Sequence, residues 1–141
     1  MKNILKSKKG FTLIELVLVI TVLGILAVAA LPNFIDVSTN ARQSSRDGVV
    51  GAVRAGVSLF RANDLVQNGP PGSFPATLDA AADGTAASPA APLFGNIMQQ
   101  AISDDAWTKV NATTYTFNDG TTTFTYTYTP ATGTFSSPTA P

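Results

Sequence analysis

From Phe11 to Leu31 the chain reads FTLIELVLVITVLGILAVAAL, with Thr12, Glu15 and Thr21 its only polar side chains. A run of about 20 apolar residues is long enough, as a helix, to cross the hydrocarbon core of a bilayer. Four lysines (Lys2, Lys6, Lys8 and Lys9) precede it, and the next basic residues after it are Arg42 and Arg46. That bias predicts an N-terminus on the inner side of the membrane and the bulk of the chain outside. Glu15 is the difficulty. A carboxylate inside a spanning helix costs a few kcal/mol on insertion scales, and about 0.3–1 kcal/mol of helix-dipole stabilisation does not recover that.

The 141 residues suffice for one domain beyond this segment. Without the first ten residues the chain holds five basic against nine acidic side chains, a net charge of −4. An acidic body lacks the clustered Lys and Arg that neutralise phosphates, so no direct nucleic-acid binding is expected. The chain has no Cys and no His. Disulfides, thiolate nucleophiles, His-based triads and most zinc sites are thereby excluded.

Five stretches follow one another. Residues 1–10 are a basic leader, and 11–32 a hydrophobic helix. Residues 33–66 form an amphipathic helix in which Val49, Val50, Val53, Val57 and Phe60 fall within roughly a 100° arc, one core-facing stripe. Asp47, Arg54 and Arg61 make a ridge beside it. Gly48, Gly51 and Gly56 each weaken the helix, which makes sense where another element packs closely. Pro32 joins the two apolar patterns without loop residues, predicting one long helix kinked there. Residues 67–106 are a Pro/Gly/Ala-rich connection pinned by Phe74, Leu78, Leu93 and Phe94, with room for a short helix over Gly95–Ser103. Residues 107–141 change period. Tyr115 and Phe117, then Phe124, Tyr126 and Tyr128, alternate with threonines around an Asp119-Gly120 turn signal. Pro130–Gly133 makes a second turn, Thr134-Phe135 starts a last strand, and Ser136–Pro141 reads as a frayed tail. The expected fold is α+β: one long kinked helix packed through its valine stripe on a small antiparallel sheet with one face buried.

Three fates fit the N-terminus. A secretory signal cleaved after Ala27-Val28-Ala29 has too long an apolar core and leaves Glu15 unexplained. A plain single-pass anchor leaves it equally unexplained. Cleavage between Gly10 and Phe11 removes the lysines, keeps the helix and gives Phe11 a cationic amine four residues from Glu15. Breaking a buried pair by removing one member costs about 3–5 kcal/mol. Glu15 can therefore pin the register of helices packed side by side, each carboxylate meeting an amine of its own or a neighbouring chain.

At Gly10-Phe11-Thr12-Leu13-Ile14-Glu15 and the apolar run beyond it, the sequence resembles the type IV pilins and the pseudopilins of type II secretion. The resemblance is close from Lys8 to Asn40 and architectural thereafter. It implies that a prepilin peptidase/N-methyltransferase cleaves between Gly10 and Phe11 and methylates Phe11. It implies further that Glu15, with Thr12 beside it, serves assembly, and that Pro32 is the family's kink proline. Phe74-Pro75-Ala76-Thr77-Leu78 is similar to the Tyr/Phe-Pro-x-x-Leu segment of many pilins, and Tyr128–Gly133 to their late strand and turn. Many pilins close a C-terminal loop with a disulfide, which this chain cannot do.

The resemblance implies a membrane-embedded precursor in the bacterial inner membrane, N-terminus cytoplasmic, and then a homo-oligomeric helical filament, not an enzyme. Its implied partners are the peptidase, an inner-membrane assembly platform with a cytoplasmic ATPase, and minor pilins. The product is an extracellular pilus for adhesion, motility or DNA uptake, toward which the threonine-rich sheet leans, or else a periplasm-spanning pseudopilus for protein export. A non-polymerising single-pass binding protein is a third class. No cofactor is expected. Among the carboxylates Asp79, Asp83, Asp104, Asp105 and Asp119, the pair Asp104-Asp105 is the best-placed calcium candidate. The spacing fits no compact loop, and turns and helix caps account for these residues.

Overall fold

A computed structural model describes residues 10–139, except the side chains of residues 32–36. The leader therefore lies outside the described residues, as does the kink expected at Pro32. The chain divides between Ser38 and Thr39 into two compact units. The helix α1, Leu13–Asn68, contributes to both.

In the first unit, α1 begins at Leu13 and runs through the apolar segment. In the second, its buried positions are Val50, Val53 and Val57, with Val49 packed at their margin. This is the stripe the 3.6-residue period predicts. Phe60 sits at its edge, 39% exposed. Of the three glycines, only Gly56 meets a close neighbour: a Cβ there would run into the carbonyl oxygen of Ile97, whereas Gly48 and Gly51 face open space. The helix ends where Gly69 takes φ +82° and its N–H closes on the Leu65 carbonyl at 3.1 Å. Only glycine adopts this left-handed cap without steric cost.

Five antiparallel strands form one sheet in the order β1-β2-β3-β4-β5. They are β1 Thr85–Ala86, β2 Trp107–Asn111, β3 Thr114–Asn118, β4 Thr123–Thr129 and β5 Thr134–Phe135. The expected hairpin is β3–β4, with Asn118 opposite Thr123. Its loop is a four-residue turn, Asp119–Thr122, closed on the Asp119 side chain. Oδ1 of Asp119 accepts from the N–H groups of Thr121 and Thr122, and Oδ2 accepts from Gln43 on α1.

Alternation puts Trp107, Tyr115, Phe117, Tyr126, Tyr128 and Phe135 on the buried face. Their rings pack at centroid distances such as 5.1 Å (Trp107–Phe117) and 5.4 Å (Trp107–Tyr126), in the range favoured by aromatic quadrupoles. Leu78, Leu93 and Phe94 from the connection complete this core, and Phe74 packs against it.

Three expectations require correction. The 67–106 connection is not devoid of sheet, because β1 pairs with β2, Ala86 opposite Thr108. Two residues are too few to display alternation. Gly95–Ser103 is not a helix. A single turn carries Ile97 and Met98 N–H back to the Phe94 carbonyl, and the segment then extends so that Ile102 pairs with Leu93. Nor is the tail frayed through Thr139, since Ser136 N–H donates to Thr127 and Thr139 exchanges two backbone bonds with Thr125. Arg54 holds the same segment by donating to the Phe135 and Ser136 carbonyls at 3.2 and 3.1 Å. Of the charged ridge predicted beside the valine stripe, Arg54 thus holds the C-terminal segment and Arg61 the Pro71 carbonyl of the connection.

Candidate functional site

Residues Gly10, Phe11 and Thr12 precede the helix in non-helical conformation, and Phe11 is 86% exposed. Among the described residues, the Gly10–Phe11 peptide bond takes part in no helix or strand. A Cβ on Gly10 would touch nothing within 4 Å. Among the described residues, packing does not call for glycine here.

Thr12 and Glu15 form a reciprocal cap. The Glu15 N–H donates to Thr12 Oγ1 at 3.3 Å, and Glu15 Oε2 accepts from the Thr12 N–H and hydroxyl, each at 3.4 Å. This is the capping box, in which residue N3 returns to the N-cap and satisfies orphan donors of the first turn. The signal was available in the sequence: Thr-x-x-Glu just before an apolar run. The cap occupies Oε2 alone, and among the described residues Oε1 accepts no hydrogen bond. One oxygen orders the helix start while the other stays open to a cation.

Below the cap, Leu13–Leu31 is a 19-residue candidate membrane span, none of it buried within the chain. At 1.5 Å per residue it is about 28 Å long, close to the hydrocarbon thickness of a bilayer. Leu13, Ile14, Leu16, Leu18, Ile20, Leu23, Ile25 and Leu26 are all more than half exposed, around the whole circumference. Thr21 satisfies its own hydroxyl on the Val17 carbonyl at 2.7 Å. A helix apolar on every side is stable only within lipid or among other apolar helices.

In the second unit, the acidic residues considered as calcium ligands are used otherwise or lie apart. Asp104 accepts from the Ala106 N–H at 3.0 Å in a turn leading into β2, and Asp105 is exposed. Among the described residues, no group of three or more metal-ligating side chains converges. The Asp119 turn bonds, led by Gln43, hold that carboxyl well below the usual carboxylate range.

Asp79 is buried. Its Oδ1 accepts from Lys109 Nζ at 2.9 Å and Ala81 N at 3.1 Å, and its Oδ2 from the Tyr115 hydroxyl at 2.9 Å and Phe94 N at 3.4 Å. Lys109 also donates to the Ala81 carbonyl at 2.7 Å. Burial, reinforced by the Asp79 charge, pushes the Tyr115 hydroxyl far up, so it stays a donor at any working pH. Sequence reasoning missed this pair, although Lys109 shares the parity of Trp107 on an inward strand face and so demands a buried acid.

The prokaryotic N-terminal methylation motif matches residues 5–31, which include the Gly10–Phe11 bond, the capping box and the entire apolar span. Over this segment the chain is similar to the type IV pilins. It is similar to a type IV narrow pilus major component of Thermus thermophilus, 45% identical over 51 residues that cover 36% of this chain and 44% of that protein. A type IV major pilin of Myxococcus xanthus is 53% identical over 36 residues, covering 26% of this chain and 16% of its own. A type IV major alpha-pilin of Moraxella bovis is 27% identical over 111 residues, 77% of this chain and 70% of the relative. The chain thus spans less than half the length of several relatives it matches. No solved structure matches it.

Proposed function

We propose that the chain is the structural subunit of a type IV pilus-like filament, cleaved between Gly10 and Phe11, N-methylated on Phe11 and polymerised through its N-terminal helix. It is the substrate of a prepilin peptidase/N-methyltransferase and carries no reaction itself. Before assembly it is anchored in the bacterial inner membrane, its N-terminus cytoplasmic, where an assembly platform with its ATPase and minor pilins act on it. The observation that carries this reading is the wholly exposed apolar helix headed by a half-occupied carboxylate, four residues after an accessible Gly-Phe bond. Polymerisation buries that surface and brings Glu15 Oε1 to a Phe11 amine. The similarity to pilus components and fimbrial proteins supports a surface pilus rather than a secretion pseudopilus.

The structure sharpens the test. Glu15→Ala would remove both the charge and the cap, whereas Glu15→Gln retains the capping box, which accepts either residue at N3. With Glu15→Gln, cleavage, methylation and membrane insertion are expected to persist while sheared filament yield collapses. Normal filaments from this variant would show that amine pairing does not drive assembly. Gly10→Val is expected to leave an uncleaved, longer, membrane-bound precursor.

A further inference from the structure

The outer face of the sheet is chemically unlike an ordinary solvated face. Lys109 is the only charged residue in the five strands, and it points inward, 5% exposed. Most outward positions are threonines set in register, with Ala86, Val110 (45% exposed) and Asn118 at the margins. Thr108, Thr116, Thr125 and Thr139 stand side by side across four consecutive segments, and Thr114 faces Thr127 in the next row. Sheet geometry spaces such side chains about 4.8 Å apart across strands and about 6.8 Å apart along them. Each presents a methyl group and a hydroxyl that can both donate and accept.

Charge and size select the partner. With no cation on it, the face cannot hold phosphates, which excludes nucleic acid and anionic lipid. The Trp, Tyr and Arg anchors that dominate protein interfaces are also missing, because the strand aromatics are turned into the core. Five strands by at most seven residues make a face of roughly 500 Å², short of the ~800 Å² per partner of a stable protein complex. What matches is an uncharged partner, itself covered with hydroxyls, extended enough to be touched by many copies at once. We propose that this threonine face docks on neutral polysaccharide surfaces. The binding rests on the filament reading only for its valency. A filament presents the small face repeatedly, and linked weak contacts gain affinity by effective concentration.

The test separates the two readings by using two formats: sheared filaments, and full-length protein in nanodiscs captured densely on beads. Both are incubated with microcrystalline cellulose and with chitin particles. Binding is expected in both, and it is expected to persist at about 1 M NaCl, where charge interactions are screened beyond about 3 Å. Thr116→Lys with Thr125→Lys should lower the bound fraction about tenfold or more, because each lost contact is multiplied across the array. Ala90→Lys, on an exposed loop, should not, and thermal melts followed by Trp107 fluorescence verify that both variants fold. The proposal is overturned if wild-type beads bind neither particle above bare nanodiscs, if salt abolishes binding, or if the double variant binds as wild type does. Beads that bind while no filament forms would uphold the surface and sink the filament reading. Filaments that form while neither format binds would do the reverse.

Discussion

Replacing Lys109 by Met should destabilise the second unit more than any other single charge removal in the chain. The change keeps most of the side-chain volume and deletes the ammonium 2.9 Å from Asp79 Oδ1. The two side chains are 6% and 1% exposed, so water cannot replace the lost partner. Asp79 keeps Tyr115, Ala81 and Phe94 as donors, but these are neutral and leave a full charge uncompensated in an aromatic core. Stranding one member of a buried pair costs about 3–5 kcal/mol. Domains of this size are typically stable by only about 5–15 kcal/mol, so much of the margin disappears. With about 4 °C lost per kcal/mol for a domain of some 100 residues, the midpoint should fall by about 12–20 °C. The assay is thermal unfolding, with urea unfolding beside it, of the full chain in detergent micelles, followed through Trp107, the only tryptophan and 1% exposed. An unchanged slope with a lowered midpoint is expected. A loss below about 1 kcal/mol, the range of solvent-exposed pairs, would refute the claim that this pair is desolvated and structural. The consequence reaches function because the chain has no cysteine. Here a buried ion pair ties the connection to β2, and no disulfide can share that role.

Two other outcomes follow from the same core and its margin. The Tyr126 hydroxyl is buried without a hydrogen-bond partner among the described residues. Tyr126→Phe is therefore expected to be neutral or mildly stabilising in the urea assay, since it removes an unsatisfied group rather than a bond. Asp119 titrates low because Gln43 and the Thr121 and Thr122 groups bond its ionised form. A depressed carboxyl contributes its stability above its unfolded pKa, about 4, and loses it progressively as the pH falls below that value. Thermal melts between pH 6 and 2 should thus show an acid limb that Asp119→Ala flattens, while lowering stability at neutral pH.

Much of this architecture was legible because it rests on periodicity. Val50, Val53 and Val57 recur at helical spacing and are buried, and Tyr115/Phe117 and Tyr126/Tyr128 alternate and are buried. Leu78, Leu93 and Phe94 stood out as large apolar residues in a stretch otherwise small or polar, and each has no exposed surface. What escaped prediction depends on contacts between residues distant in sequence. Asp79 and Lys109 are thirty positions apart, and nothing local to Asp79 marks it as buried. Strand β1 is too short to carry a pattern, and the tail is ordered by β4 and Arg54 rather than by its own Ser- and Pro-rich composition. At the candidate site the order was reversed. Phe11 and Glu15 are conspicuous in the sequence, whereas the Thr12 cap emerges from the folded geometry, in which Glu15 takes the ordinary role of Glu at N3 as well as carrying a charge.

The central claim is that this chain works only after losing its lysine leader, so that a cationic Phe11 can answer Glu15 inside an assembly of apolar helices. Intact-mass and N-terminal peptide mass spectrometry of the protein isolated from its native membrane and from sheared cell-surface material tests this most directly. The account predicts one mature species in the sheared fraction, beginning at N-methylated Phe11, with the chain beginning at Met1 confined to the membrane. An N-terminus at Met1, or one created after Ala29, in assembled material would contradict it.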